Sequence, residues 1–423
     1  MNLNNKGWLK DYLDFRKEFI IAGAGEKDQR ASHPEQSLYR IIQPTGLMYG
    51  QSVGGVPLAD SEKWTDKERL KILLAESLIS SSLLFYEKPI KSPDDISAAI
   101  EKTLESIGSF YNNIFPELAT PKKTLLGRKK SPIELAETIL DKRIEQTRKF
   151  DGNFWSNFFH NSLLFLDVFI YGKWIHTNAD RIVSDFFRFE REELRFSVIK
   201  VIAAAAHSNK EISFEERELY DFFIESADLT SERRKEALKI FEEGFALENL
   251  NLPSENSWIL KKFFLEVGIL TILADKKVEQ EELDFLKRFC LYLGFSEDDL
   301  ENSMIAIEGF VLEHWGELEY LKESQDYDQV GAQFVKRLAT IAERHKSKLV
   351  KSISENSDVL ALIRKASSNE LKGDEKEKVR LELIRIIRTI PSFSLVSLPQ
   401  KFLTLPVLLK VLPRTLFAEG IRK

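Results

Sequence analysis

Five short helix-start signatures recur along this chain, and together they confine it to a helical fold. Thr65 is followed three residues later by Glu68, a pattern in which hydroxyl and carboxylate satisfy each other's free backbone N–H groups. Leu70, Leu73, Leu74, Ser77, Leu78 and Ser81 then follow at helical spacing. Ser92-Pro93-Asp94-Asp95 and Ser131-Pro132-Ile133-Glu134 place proline at the first helical position behind a capping serine, with acid in the first turn. Thr230-Ser231-Glu232-Arg233 and Ser296-Glu297-Asp298-Asp299 have the same character. Period-two alternation is scarce, so the sequence predicts an all-α, multi-helix bundle.

Two of these starts close an internal repeat. Phe196 to Thr230 aligns with Phe264 to Ser296, offset by 68 residues at Ala206 and Ala274 and by 66 at Glu216 and Glu282, because the first turn is two residues longer. Each copy reads as an apolar helix, a polar turn, an acid-capped second helix and a Ser or Thr opening a third. Helix pairs of this kind bury their apolar faces against one another, so the copies are expected to pack in tandem.

Composition excludes several classes of protein. With 423 residues, 30% charged and only 19 Gly and 13 Pro, the chain is long enough to bury a core unaided and is neither low-complexity nor disordered. Thirty Phe residues predict a Phe-rich interior. The net charge of −6 offers no general attraction for nucleic acid, and no nucleic-acid partner is expected. Residues 391–423 nevertheless carry five basic groups against one acid. Residues 121–130, PKKTLLGRKK, carry five bases and no acid and read as a solvated linker or as a lipid or nucleic-acid contact. The single cysteine, Cys290, lies in an apolar run, which suits a buried thiol in a reducing compartment. The apolar run Phe19 to Gly25 follows acids and does not read as a secretory signal, so the expected location is cytoplasmic.

Catalytic signatures are absent from the sequence. The six His residues form no HExxH pair and partner no Ser or Cys nucleophile. Residues 43–60 form the one Gly-rich loop, but no strand precedes it and the phosphate-cradling GxxxxGK[ST] pattern is missing. The expectation is a protein without enzymatic activity and without an organic cofactor. Residues 154–175 are apolar but contain Asn157, His160, Asn161, Asp167 and Lys173, which predicts a core helix rather than a membrane span.

The second repeat's turn, Ala274-Asp275-Lys276-Lys277-Val278-Glu279-Gln280-Glu281-Glu282, resembles the acidic turn of the tellurite-resistance TerB-like helical family. That resemblance implies tandem TerB-like repeats over 191–320 and makes Asp275, Glu279 and Glu282 candidate ligands for a divalent cation. Lys276 replaces the usual Gly, and His207 stands at the Asp position of the first copy. One Asp and two Glu are fewer than the six to eight oxygens calcium takes, so helix capping by these acids is the competing reading.

The C-terminus carries the most specific spacing. Arg388, Ile390 and Pro391 are followed by Pro399, Pro406, Lys410 and Pro413, giving Pro-x7-Pro-x6-Pro-x3-Lys-x2-Pro in an apolar setting. This resembles the membrane segment of the leucine-zipper/EF-hand-containing transmembrane (LETM) family and its bacterial biofilm-associated relatives. Gln400-Lys401 and Phe417 depart from that pattern, and the first 190 residues match only in general character, including Gly7-Trp8. The resemblance implies a non-enzymatic, membrane-peripheral or envelope-associated adaptor, or alternatively a cation-homeostasis protein. Repeated proline predicts broken helical pieces here. Pro391, Pro399, Lys401, Pro406, Lys410, Pro413 and Arg414 are the candidate contacts to an anionic lipid surface or a membrane protein, with docking onto the protein's own body as the competing reading. The expected organisation is an N-terminal helical region with the Gly-rich loop (1–120), a basic linker (121–132), a helical connector (133–190), the repeats (191–320), further helices (321–390) and the tail (391–423).

Overall fold

The computed structural model describes residues 2–23, 34–49, 63–84, 92–118, 121, 127–146, 154–176, 184–209, 212, 217, 220, 221, 223, 224, 227, 229–253, 257–273, 280–316, 326–355, 365 and 373–413. These residues form sixteen α-helices and no β-strand. The chain divides into two compact units, Met1–Asp275 and Lys276–Lys423. The division falls inside the second repeat.

The first unit contains α1 (Trp8–Gly23), α2 (Pro34–Ile42), α3 (Asp66–Leu84), α4 (Pro93–Ile114), α5 (Pro132–Glu145), α6 (Phe154–His176), α7 (Ser184–Ala206), α8 (Ser231–Glu243) and α9 (Trp258–Leu273). The sequence signatures start these helices as expected. Ser92 accepts from the Asp95 N–H while Asp95 returns to the Ser92 N–H, and Ser131 and Glu134 repeat the arrangement. Thr65 and Glu68 do the same before α3, and Thr230 caps α8. Helices α6 and α9 are apolar around their circumference, which places them in the centre: Leu163 to Phe165 and Val168 to Tyr171 are buried on α6, as are nearly all residues of α9. Helix α7 lies along α9, so the leading helices of the two repeats pack together. The predicted Phe-rich interior is present around Phe110, Phe115 and Phe187, where rings meet edge to face with Tyr171 and Trp174.

Several buried carboxylates of this unit are held by hydrogen bonds. Asp167 on α6 accepts from Arg143 Nε at 2.6 Å and Tyr111 Oη at 3.3 Å, which is how a carboxylate survives in an apolar helix. Glu266 on α9 accepts from Tyr39 Oη at 2.6 Å and Tyr49 Oη at 2.9 Å. At the opening of α1, Glu137 accepts the Gly7 and Leu9 N–H groups at 2.8 and 3.0 Å, and the Trp8 indole donates to Asp141. Gly7 has φ +97°, a conformation that a residue with a side chain rarely adopts.

The second unit contains α10 (Gln280–Tyr292), α11 (Glu297–Glu313), α12 (Tyr327–Arg344), α13 (Lys346–Ser354), α14 (Gly373–Ile387), α15 (Pro391–Ser394) and α16 (Leu405–Val411). Ser296 and Asp299 form a reciprocal capping box at the start of α11. Helices α11 and α12 pack along one another, with α10 against α11 and α13 against α14. Cys290 is a buried thiol outside any disulfide and donates to the Ser296 carbonyl at 3.1 Å.

Candidate functional site

The last described stretch, residues 391–413, is broken where its prolines fall. Pro391 sits in the first turn of α15, and Pro406 in the first turn of α16, positions where the missing N–H costs no helical bond. Between them the chain is irregular, held by a bond from the Leu403 N–H to the Pro399 carbonyl at 3.0 Å. This stretch lies as a strap on the second unit, with α15 against α11 and α16 against both α12 and α14. Phe393, Val396, Leu398, Leu403, Leu408, Val411 and Leu412 are each no more than 5% exposed.

Two glycines shape the seat of the strap. A side chain at Gly309 on α11 would meet the Pro399 ring at 3.1 Å, and one at Gly331 on α12 would meet the Phe402 ring at 2.9 Å. Phe402 then stands edge-on to Phe334 at 5.7 Å and Tyr327 at 6.0 Å between centroids. The polar grips on the strap reach its main chain. Asn302 Nδ2 donates to the Ser392 carbonyl. The Lys401 N–H donates to Glu313 Oε2 at 2.9 Å, and Arg380 donates to the Gln400 carbonyl at 3.2 Å. Just ahead of the strap, Lys348 donates to the Thr389 carbonyl at 2.7 Å. Deeper between α11 and α12, burial pushes the Glu308 carboxyl above its ordinary range while its partner Arg337, at 3.1 Å, pulls the other way.

The predicted contact residues divide between two faces. Pro399 and Pro413 are buried, whereas Pro391, Lys401, Pro406 and Lys410 are exposed. Arg414 lies outside the described residues. Of the acids proposed for a cation, Glu282 is buried in the first turn of α10, and Asp275 and Glu279 lie outside the described residues. Among the described residues no cluster of three or more His, Cys, Asp or Glu is placed to hold a metal. His207, at the Asp position of the first repeat, donates from Nε2 to the Phe241 carbonyl at 2.7 Å and so closes its own turn onto α8. Among the described residues no helix is long and apolar enough to cross a membrane.

Sequence reasoning did not single out Gly309, Gly331, Asn302, Glu313, Arg380 or Phe402. The two glycines did carry a signal: an isolated glycine inside an apolar helical pattern usually has a packing reason.

The second unit is a helical body that holds a proline-broken segment of short helices and turns in an apolar groove. The chain is similar to the co-chaperone protein DjlA of Vibrio cholerae, 28% identical over 124 residues, covering 27% of this chain and 44% of that protein. DjlA of Vibrio parahaemolyticus is 26% identical over 165 residues, 37% of this chain and 58% of the relative, and DjlA of Vibrio vulnificus is 30% identical over 122 residues, 27% and 42%. The similarity thus spans about half the length of these curated relatives. No protein-family model matches the chain, and no solved structure matches it. The TerB-like, LETM and biofilm resemblances therefore draw no support from the comparisons.

Proposed function

We propose that this protein is a non-enzymatic helical adaptor that works beside a chaperone by holding polypeptide. The observation carrying this reading is the shared similarity to several co-chaperones. The groove described above is compatible with it, since its grips hold main-chain atoms of the strap. Adding the protein to a chaperone-assisted refolding reaction of a denatured client is expected to change the yield at least twofold. No change over a hundredfold range of concentration contradicts the reading.

Within this proposal the adaptor is cytoplasmic and rests on the inner membrane through the exposed side of the strap. Lys401 and Lys410 face solvent there, and each cation near an anionic bilayer surface contributes about 1 kcal/mol of attraction. Two lysines alone give weak, salt-sensitive binding. The cation-homeostasis alternative requires the strap to enter a bilayer, yet its apolar side chains already fill the groove. Asp275, Glu279 and Glu282 are a separate proposal, as divalent-cation ligands of the second repeat's turn; a rise in the thermal midpoint with millimolar calcium, magnesium or manganese supports it, and an unchanged midpoint removes it.

A further inference from the structure

We propose that Lys200, on α7, is a nucleophilic amine that takes an acyl group from a small acyl phosphate and is thus a site of covalent modification. A lysine becomes a nucleophile when it is drawn out of water or set beside another cation, and both conditions hold here. Lys200 is half-buried, with its ammonium 4.6 Å from the centre of the Phe196 ring one turn back on the same helix. The Arg233 guanidinium of α8, which packs on α7, stands 4.5 Å from the centre of that ring. Two cations therefore share one buried aromatic. The nearby carboxylates do not serve them equally. Glu193 and Glu236 both pair with Arg233, whereas among the described residues Lys200 makes no hydrogen bond or ion pair.

Burial pushes the Lys200 ammonium below its ordinary 10.5, and Arg233 adds to that push, while Glu193 on α7 and Glu236 on α8 offset part of it. More of the amine is then neutral near pH 8 than for a lysine in water, and only the neutral form attacks. Its Nζ adds to the carbonyl carbon of the acyl phosphate. The bond from that carbon to the phosphate oxygen breaks, phosphate leaves with the bonding pair, and one proton of the nitrogen passes to water, leaving an amide. Phosphate is a good leaving group, so the step asks for no second catalytic residue. Exposed lysines elsewhere are held differently: Lys239 pairs with Glu243 and Lys351 with Glu355, each four residues on. Acylation replaces an ammonium by a neutral amide, so one of the two cations at the Phe196 ring is lost and the charge at the α7–α8 seam falls by one.

The test is acetylation of the full-length native protein by acetyl phosphate at pH 8, with the rate at each lysine read by peptide mass spectrometry. Lys200 is expected to react at least fivefold faster than Lys239 or Lys351, although both of these are more exposed. The ratio should fall towards one in guanidinium chloride, where burial and the neighbouring cation are lost together. Arg233→Gln removes that cation and releases Glu193 and Glu236 to Lys200, so it should lower the ratio at least twofold. Circular dichroism reports whether the variant keeps its helices. A native ratio of one or less overturns the proposal, as does a ratio that persists in denaturant or in a folded Arg233→Gln protein. Should that variant lose its helices, the pH profile of the wild type decides. A half-maximal rate at Lys200 reached at lower pH than at Lys351 supports the proposal, and a shared midpoint overturns it.

Discussion

The buried polar groups of the first unit set its sensitivity to single substitutions. Glu266 is fully buried and accepts two tyrosine hydroxyls, so removing either donor leaves a charge short of partners in an apolar interior. Tyr39→Phe and Tyr49→Phe are each expected to destabilise the protein by about 1–3 kcal/mol in denaturant melts. The double variant should cost a different amount from the sum, because the two share one acceptor. The same burial holds the phenols of Tyr39, Tyr49, Tyr111 and Tyr171 above the ordinary value of 10.0, with burial the largest cause in each. A folded-state value raised in this way means that the unfolded chain releases its protons first, so stability falls as pH rises past 10. Alkaline unfolding followed by circular dichroism should start there, and Tyr171→Phe should make it less steep. On the acid side, the hydrogen bond from Arg128 and the Ser131 backbone hold Glu134 down at about 2. Its contribution is present above the ordinary 4.5 and is lost as pH falls through about 2.

At the scale of elements, two kinds of prediction separate cleanly. Ser92→Ala removes a cap whose geometry is complete in α4 and should cost about 1 kcal/mol. Gly331→Ala is more informative because it has two opposed effects. Alanine favours the helix by about 1 kcal/mol, but its Cβ would sit 2.9 Å from the Phe402 ring. Alone the substitution should therefore be neutral or destabilising, and in a Phe402→Ala background it should stabilise; thermal melts of the four proteins close the cycle. Helix starts were legible in the sequence because capping is local: Ser92, Ser131, Thr230 and Ser296 each bond within three residues of themselves. The breaks at Pro391 and Pro406 were legible for the same reason, since proline acts on its own turn. The seat of the strap was not. Gly331 and Phe402 are 71 positions apart, and nothing in either neighbourhood announces that one makes room for the other.

For the whole molecule, the strap decides how an apolar tail coexists with a charged body. Hydropathy left lipid and groove as equal destinations for residues 391–413, because both accept the same side chains. The structure places that stretch in the groove, with Pro399 buried and Lys401 and Lys410 outside. A protein ending at Ile390 should consequently uncover Gly309, Gly331 and Phe334, bind a hydrophobic dye and lose stability in the second unit. The membrane proposal is separable from this: flotation with anionic vesicles should be weakened by Lys410→Glu while the thermal midpoint stays unchanged, and loss of both together would tie lipid binding to the fold. Hydrogen exchange of the intact protein in buffer, without vesicles, tests the docked strap most directly. The account predicts that amides across 393–411 exchange far more slowly than those of an unstructured peptide; exchange at the free-peptide rate until lipid is added would contradict it.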